Sequence, residues 1–211
     1  NVKDSDFKVP HSLKNILRNY QKDGFRWLKT MANYGFGGIL ADDMGIGKTL
    51  QVITLLEDEK LHDPQAISLV VCPSSLILNW QSEIAKFSDA LTSILITGNM
   101  EERKALIYKA KDYDVVITSY DYLKRDIEHY ENFHFTYQII DEAQYIKNHN
   151  TKNAVSVKQI QAAHRFALTG TPIENSLAEL WSIFDFLMPG YLYTYPYFKK
   201  QYEIPIVKEN D

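Results

Sequence analysis

The chain holds one cysteine in 211 residues, no apolar run of membrane length and no cluster of basic residues. With Cys72 alone, an internal disulfide is excluded. It lies in an apolar run, where a buried thiol is expected, and such sparse cysteine suits a reducing cytoplasm. Nothing approaches the roughly 18 apolar residues of a membrane span, so no membrane partner is expected. The start, Asn1-Val2-Lys3-Asp4-Ser5-Asp6, lacks the basic-then-apolar order of a signal peptide. A formal net charge of −4 and a pI near 5.9 argue against coating nucleic acid by bulk charge, but leave room for a local track. The six histidines show no pairing at metal-ligand spacing. At 45% hydrophobic and 24% charged, the chain reads as an ordinary globular protein.

What is present centres on Gly37-Gly38-Ile39-Leu40-Ala41-Asp42-Asp43-Met44-Gly45-Ile46-Gly47-Lys48-Thr49. An apolar run, a glycine turn and the apolar-periodic Leu50 to Leu56 predict strand, phosphate-binding loop and helix. Gly45 and Gly47 let backbone approach an anion, and the helix start offers free N–H groups and a positive dipole end. Asp43, Met44, Gly45, Ile46, Gly47, Lys48, Thr49 and Leu50 form the expected cradle. Lys48 would reach the β- and γ-phosphates, and Thr49 would ligate magnesium. The usual glycine five positions before Gly47 is replaced by Asp42.

Upstream, His11 to Asn33 carries Leu13, Ile16, Leu17, Tyr20, Trp27, Leu28 and Met31 at helical spacing, with a break expected at Gly24. Downstream, Ser68–Cys72, Ser93–Ile96, Asp114–Thr118, Tyr137–Asp141 and Arg165–Thr169 are short apolar and β-branched runs separated by helical segments. With Gly38–Ala41 that makes six candidate strands, and a parallel sheet with helices on both faces. Ligands belong beyond the carboxyl ends of such strands. The residues there are Asp42 to Thr49, Pro73-Ser74-Ser75, Thr97-Gly98-Asn99, Ser119-Tyr120, Asp141 to Gln144 and Gly170-Thr171-Pro172. A last amphipathic helix is expected over Leu177 to Met188, ended by Pro189-Gly190.

Ile139-Ile140-Asp141-Glu142 supplies a second acidic element. Asp141 would hold magnesium and Glu142 would accept a proton from a water attacking the γ-phosphate. Alone, Asp-Glu after a strand reads equally well as a helix start that favours acids.

Taken together, these motifs resemble the first RecA-like domain of superfamily 2 helicases, and specifically the Swi/Snf-type translocases of double-stranded DNA. Leu17-Arg18-Asn19-Tyr20-Gln21 with Gly24, Trp27 and Leu28 resembles the family's adenine-recognition motif. In its phosphate loop an acidic pair before Met-Gly is usual, which accounts for Asp42. Val70 to Leu76 with Asn79, Trp80 and Glu83, then Thr118-Ser119-Tyr120, Asp141 to Gln144, and Leu168 to Pro172 with Asn175 complete the set. The resemblance covers about Leu13 to Pro189. It departs at Ala143-Gln144, where many members have Gly-His.

The resemblance implies a three-layer RecA-like P-loop fold of about six to seven mainly parallel strands, with ATP and Mg2+ as cofactors. It implies that Gln21 reads adenine with Arg18 nearby, and that Gln144, Thr169, Gly170 and Thr171 couple nucleotide state to DNA. It further implies that Pro73, Ser74, Ser75, Thr118, Ser119 and Tyr120 grip a DNA strand's phosphates. For the serines a helix-capping role is nearly as good a reading, and Trp80 reads as core.

The family also uses a second RecA-like lobe bearing arginine fingers. None of the five arginines here (Arg18, Arg26, Arg103, Arg125, Arg165) lies in such a motif. Residues 1–190 are therefore expected to be one lobe and 191–211 the start of a following insertion or linker. The expected function is ATP-driven translocation on duplex DNA and remodelling of protein–DNA complexes, with the isolated lobe nearly inactive. The expected partners are the second lobe, double-stranded DNA, and RNA polymerase or another DNA-bound protein. Two alternatives stand: a strand-separating helicase or restriction-type motor, and a nucleotide-gated interaction module without catalysis. No nuclear-targeting basic run is present, so the location expected is cytoplasmic, nucleoid-associated in a bacterium, or nuclear in a eukaryote.

Overall fold

Among the described residues, six β-strands, all parallel, run in the order β1-β6-β5-β2-β4-β3. The computed structural model describes residues 3, 6–41, 45–170, 176–191 and 194–200. The strands are β1 (Gly38–Ala41), β2 (Ser68–Cys72), β3 (Ser93–Leu95), β4 (Val115–Ser119), β5 (Phe135–Ile140) and β6 (Ala162–Thr169). Each begins or ends within three residues of the run that predicts it. The described helices are α1 (Asn19–Asn33), α2 (Gly45–His62), α3 (Ile77–Phe87), α4 (Met100–Lys109), α5 (Tyr120–Asp126), α6 (Lys152–Gln159), α7 (Leu177–Leu187) and the single turn α8 (Tyr195–Phe198).

Alternation along the strands builds two cores, one on each face of the sheet. On β2, Val70 and Cys72 point one way, into a core with Phe25 and Leu28 of α1, Val52 and Ile53 of α2, and Trp80 and Ile84 of α3. Leu69 and Val71 point the other way, toward Ile107 of α4, Leu123 of α5, Val157 of α6 and Phe186 of α7. All five β2 residues are buried, as a central strand covered on both faces must be. The expected three-layer RecA-like architecture is what the chain forms.

Two local expectations are corrected. Gly24 does not break a helix: α1 runs unbroken through it, and the discontinuity falls at Lys14–Arg18, between a single 3-10 turn (His11–Leu13) and α1. Gly24 serves close approach instead, because a Cβ there would meet Gln51 Oε1 of α2 at 1.8 Å. In α7 the stripe expected from helical spacing, Leu177, Leu180, Trp181, Phe184, Leu187 and Met188, is fully buried at Trp181 and Leu187 alone. Trp181, Ser182, Ile183, Phe186 and Leu187 are buried, while Leu180 is 36% exposed.

Candidate active site

The carboxyl ends of β1, β6 and β5 lie side by side, with Ala41 paired to Thr169 and Ile140 to Ala167. This adjacency brings three sequence-distant motifs together. Asp42, Asp43 and Met44 lie outside the described residues; Gly45 and Ile46 open α2, and Gly47, Lys48 and Thr49 continue its first turn. The first N–H groups of an α-helix have no intrahelical acceptor, so the start of α2 offers donors to an anion. Lys48 is 5% exposed, and its ammonium donates to the Thr169 carbonyl at 3.0 Å. A Cβ at Gly170 would stand 3.5 Å from the same nitrogen. Thr171 lies outside the described residues, as do Pro172 and Asn175.

Asp141 follows β5 directly, and its backbone N–H still donates to Val71 O of β2 at 2.8 Å. Its carboxylate is held from two sides: Oδ1 accepts the Glu142 N–H at 2.8 Å and Oδ2 accepts the Trp80 indole N–H at 2.9 Å. Burial pushes the Asp141 carboxyl above the usual range, and the Trp80 indole, the Glu142 N–H and the Lys48 charge draw it partway back. Glu142 is left-handed at φ 53° and ψ 60°, the one non-glycine residue with positive φ among those described. Such a conformation costs about 1 kcal/mol or more, and strain of this kind clusters at working sites. Gln144 Nε2 donates to Glu142 Oε2 at 2.6 Å, while Gln144 Oε1 is buried without a partner among the described residues.

A third carboxylate, Glu83 of α3, faces the Thr49 hydroxyl and the Asn79 amide. Burial pushes it up, those two neighbours draw it back, and Asp141 pushes it up again. Its Oε2 is buried with no hydrogen-bond partner among the described residues. No trio of His, Cys, Asp or Glu side chains among the described residues is arranged to hold a metal ion. The oxygens present suit a hard cation held by one or two protein ligands together with phosphate oxygens, which is the habit of Mg2+. Thr49 and Asp141 would hold it, and the orphaned Glu83 oxygen adds the negative charge it favours.

Around this centre, several expected contacts are redrawn. Gln21 is 5% exposed, and its Oε1 accepts the Arg18 N–H at 2.8 Å, capping α1. Its amide nitrogen and the second lone pair of Oε1 remain to meet a base edge; Arg18 is exposed. The Leu50 side chain packs on Leu13 and Leu17 rather than lining the site, which fastens the Gln21 segment to the start of α2. Of the six residues expected at DNA, only Ser74 and Ser75 expose their side chains. Pro73, Thr118, Ser119 and Tyr120 are buried, and the last two make internal hydrogen bonds. Ser119 Oγ caps α5 by accepting the Tyr122 N–H at 3.1 Å. The Tyr120 hydroxyl donates to Asp141 O at 2.6 Å, and its ring stacks on Tyr145 at 5.1 Å with planes 6° apart. Trp80 lies in the core as expected, yet its indole N–H reaches Asp141, and Glu83, given no chemical role from the sequence, faces Thr49. Their signal was a three-residue spacing that puts both on one face of α3.

A glycine-led helix N-terminus with Lys-Thr, set one strand from an Asp-Glu pair in a parallel sheet, defines a RecA-like P-loop domain. The sequence profile of the SNF2-related domain matches residues 20–211, and the chain belongs to that family. It is 41% identical to the human TATA-binding protein-associated factor 172 over 98% of this chain and 12% of the human protein. With TATA-binding protein-associated factor MOT1 of Saccharomyces cerevisiae the identity is 40%, over 95% of this chain and 11% of the yeast protein. The Sulfolobus solfataricus SWI2/SNF2 ATPase core in complex with double-stranded DNA superposes with a TM-score of 0.86 at 44% identity, over 96% of this chain and 42% of that one. The chain thus spans about a tenth of the length of these curated relatives. The family is one of helicase-like ATPases, and among the described residues no helix is long and apolar enough to cross a membrane.

Proposed function

We propose that this chain is the ATP-binding lobe of a motor that hydrolyses ATP to move along duplex DNA and remodel the protein–DNA complexes it meets. The observation that carries the reading is the meeting of Lys48 and Thr49 with Asp141 and Glu142 at one edge of one sheet. Lys48 would bind the β- and γ-phosphates from its buried position, with the N–H groups of Gly45 to Thr49 around them. Mg2+ bound through Thr49 and Asp141 would neutralise phosphate charge. Glu142 would orient a water and take its proton, with Gln144 holding the carboxylate in place. Gln144, Thr169 and Gly170 lie between this centre and neighbouring elements, which suits coupling, and Ser74 and Ser75 would meet DNA phosphates without reading sequence.

Residues 1–190 form one lobe in this reading, and 191–211 begin a linker or insertion. A second lobe would close over the nucleotide and add arginine, worth about 10³–10⁵ in rate where such a residue is used. Alone, the lobe would bind MgATP weakly and turn it over very slowly. The double-stranded DNA in the Sulfolobus complex supports duplex DNA as the track. The relatives' names support a DNA-bound transcription factor, rather than RNA polymerase, as what is moved. With a second lobe and duplex DNA supplied, Glu142→Gln should cut hydrolysis by roughly 10² or more while nucleotide binding persists. Turnover unchanged by that substitution would mean a nucleotide-gated module, and displacement of a complementary strand would mean a strand-separating helicase.

A further inference from the structure

Trp80 belongs to the core on one face of the sheet, yet its indole N–H leaves that core to bond a carboxylate at the reaction centre. Packing alone would not require this. Nor would packing require tryptophan, since a phenylalanine ring fills most of the same apolar space.

We propose that Trp80 is a positioning residue: its N–H fixes the rotamer of Asp141 so that the carboxylate presents its remaining lone pairs to a divalent cation. The inference rests on the nucleotide-site reading above and adds to it the origin of the metal ligand's orientation. Trp80 is 1% exposed and anchored among Val70, Cys72 and Ile84, so the donor is rigid. The Asp141 carboxylate is gripped at Oδ1 by Glu142 N–H and at Oδ2 by Trp80, which removes its freedom to rotate about the last side-chain bond. An ionised carboxylate has about four lone-pair sites, so two donors leave places for a cation. Glu83, three residues along the same helix, faces the Thr49 hydroxyl, so α3 touches both residues expected to hold the metal. Partners that orient a metal ligand in this way tune affinity for the metal more than affinity for the rest of the ligand set.

The test is Mn2+ binding, read by electron paramagnetic resonance, in the 211-residue chain with ADP present. Two variants are compared: Trp80→Phe, and a chain carrying benzothienylalanine at position 80, which keeps the bicyclic shape and replaces N–H by sulfur. Both should weaken Mn2+ by about tenfold while ADP affinity measured in chelator stays as in the wild type. Wild-type Mn2+ affinity in the benzothienylalanine protein overturns the proposal, whatever Trp80→Phe does, because the ring would then act by shape alone. Equal loss of Mn2+ and metal-free ADP binding also overturns it. A wild-type chain that binds no nucleotide at all, or a Lys48→Ala chain that binds it normally, instead removes the nucleotide-site reading beneath it.

Discussion

Cys72 ends β2 fully buried, with its thiol directed at Thr118 O at 3.8 Å and Asp141 nearby. Burial first, and the Asp141 charge second, push the thiol well above its ordinary range. The reactive form is the thiolate, and free cysteine forms it near a pKa of about 8.5. The folded chain should therefore hold the neutral thiol at pH 8 and ignore Ellman's reagent, whereas the chain in urea should react with one equivalent. Fast reaction in the native state would place Cys72 outside the core. At this scale the sequence singled out candidate residues and was silent about which way some of them point. Lys48, Asp141 and Glu142 stood out as candidates because a glycine turn with Lys-Thr and an Asp-Glu pair fall at strand ends of one parallel sheet, though each motif alone has an ordinary structural reading. That the Tyr120 and Thr118 side chains are buried could not be read from residue type, because their direction depends on the register of β4 against β2, where Thr118 pairs with Val71. The left-handed Glu142 and the Trp80 N–H leave no trace in residue type.

At the scale of elements, the sheet was legible and the helix faces less so. Most strands are short apolar or β-branched runs, which suit a parallel sheet buried on both faces, while β6 enters through the partly exposed His164 and Arg165. α7 was harder because Leu177, Ala178, Leu180, Trp181, Ile183, Phe184, Phe186 and Leu187 leave almost no polar face to mark the outside. Its register is set by tertiary contacts instead, among them Ser182 Oγ donating to Ile146 O at 2.6 Å. The entry to β1 is tighter than its sequence suggests. A Cβ at Gly37 would stand 2.7 Å from Arg165 O and 2.8 Å from Leu187 O, both backbone atoms that cannot swing aside. Gly37→Ala should therefore destabilise the chain by about 2 kcal/mol, the usual cost of overpacking. A urea midpoint equal to the wild type would show that β1 and α7 can separate freely.

For the molecule as a whole, one edge of the sheet gathers the chemistry, and the two cores beneath hold it in register. Lys48 ties α2 to the end of β6, Trp80 ties α3 to Asp141, and Tyr120 ties α5 to the same residue's carbonyl. Each tie crosses from one motif to another, so the site is built by the fold rather than by any loop alone. In the proposed reading, this edge binds the phosphates of MgATP through Lys48. Calorimetric titration of MgATP into the 211-residue chain, wild type against Lys48→Ala, tests it most directly. A hydrogen bond to a charged group contributes roughly 1.5–3 kcal/mol, so the substitution should weaken binding by about 10- to 100-fold. Equal affinity in the two proteins would contradict the claim.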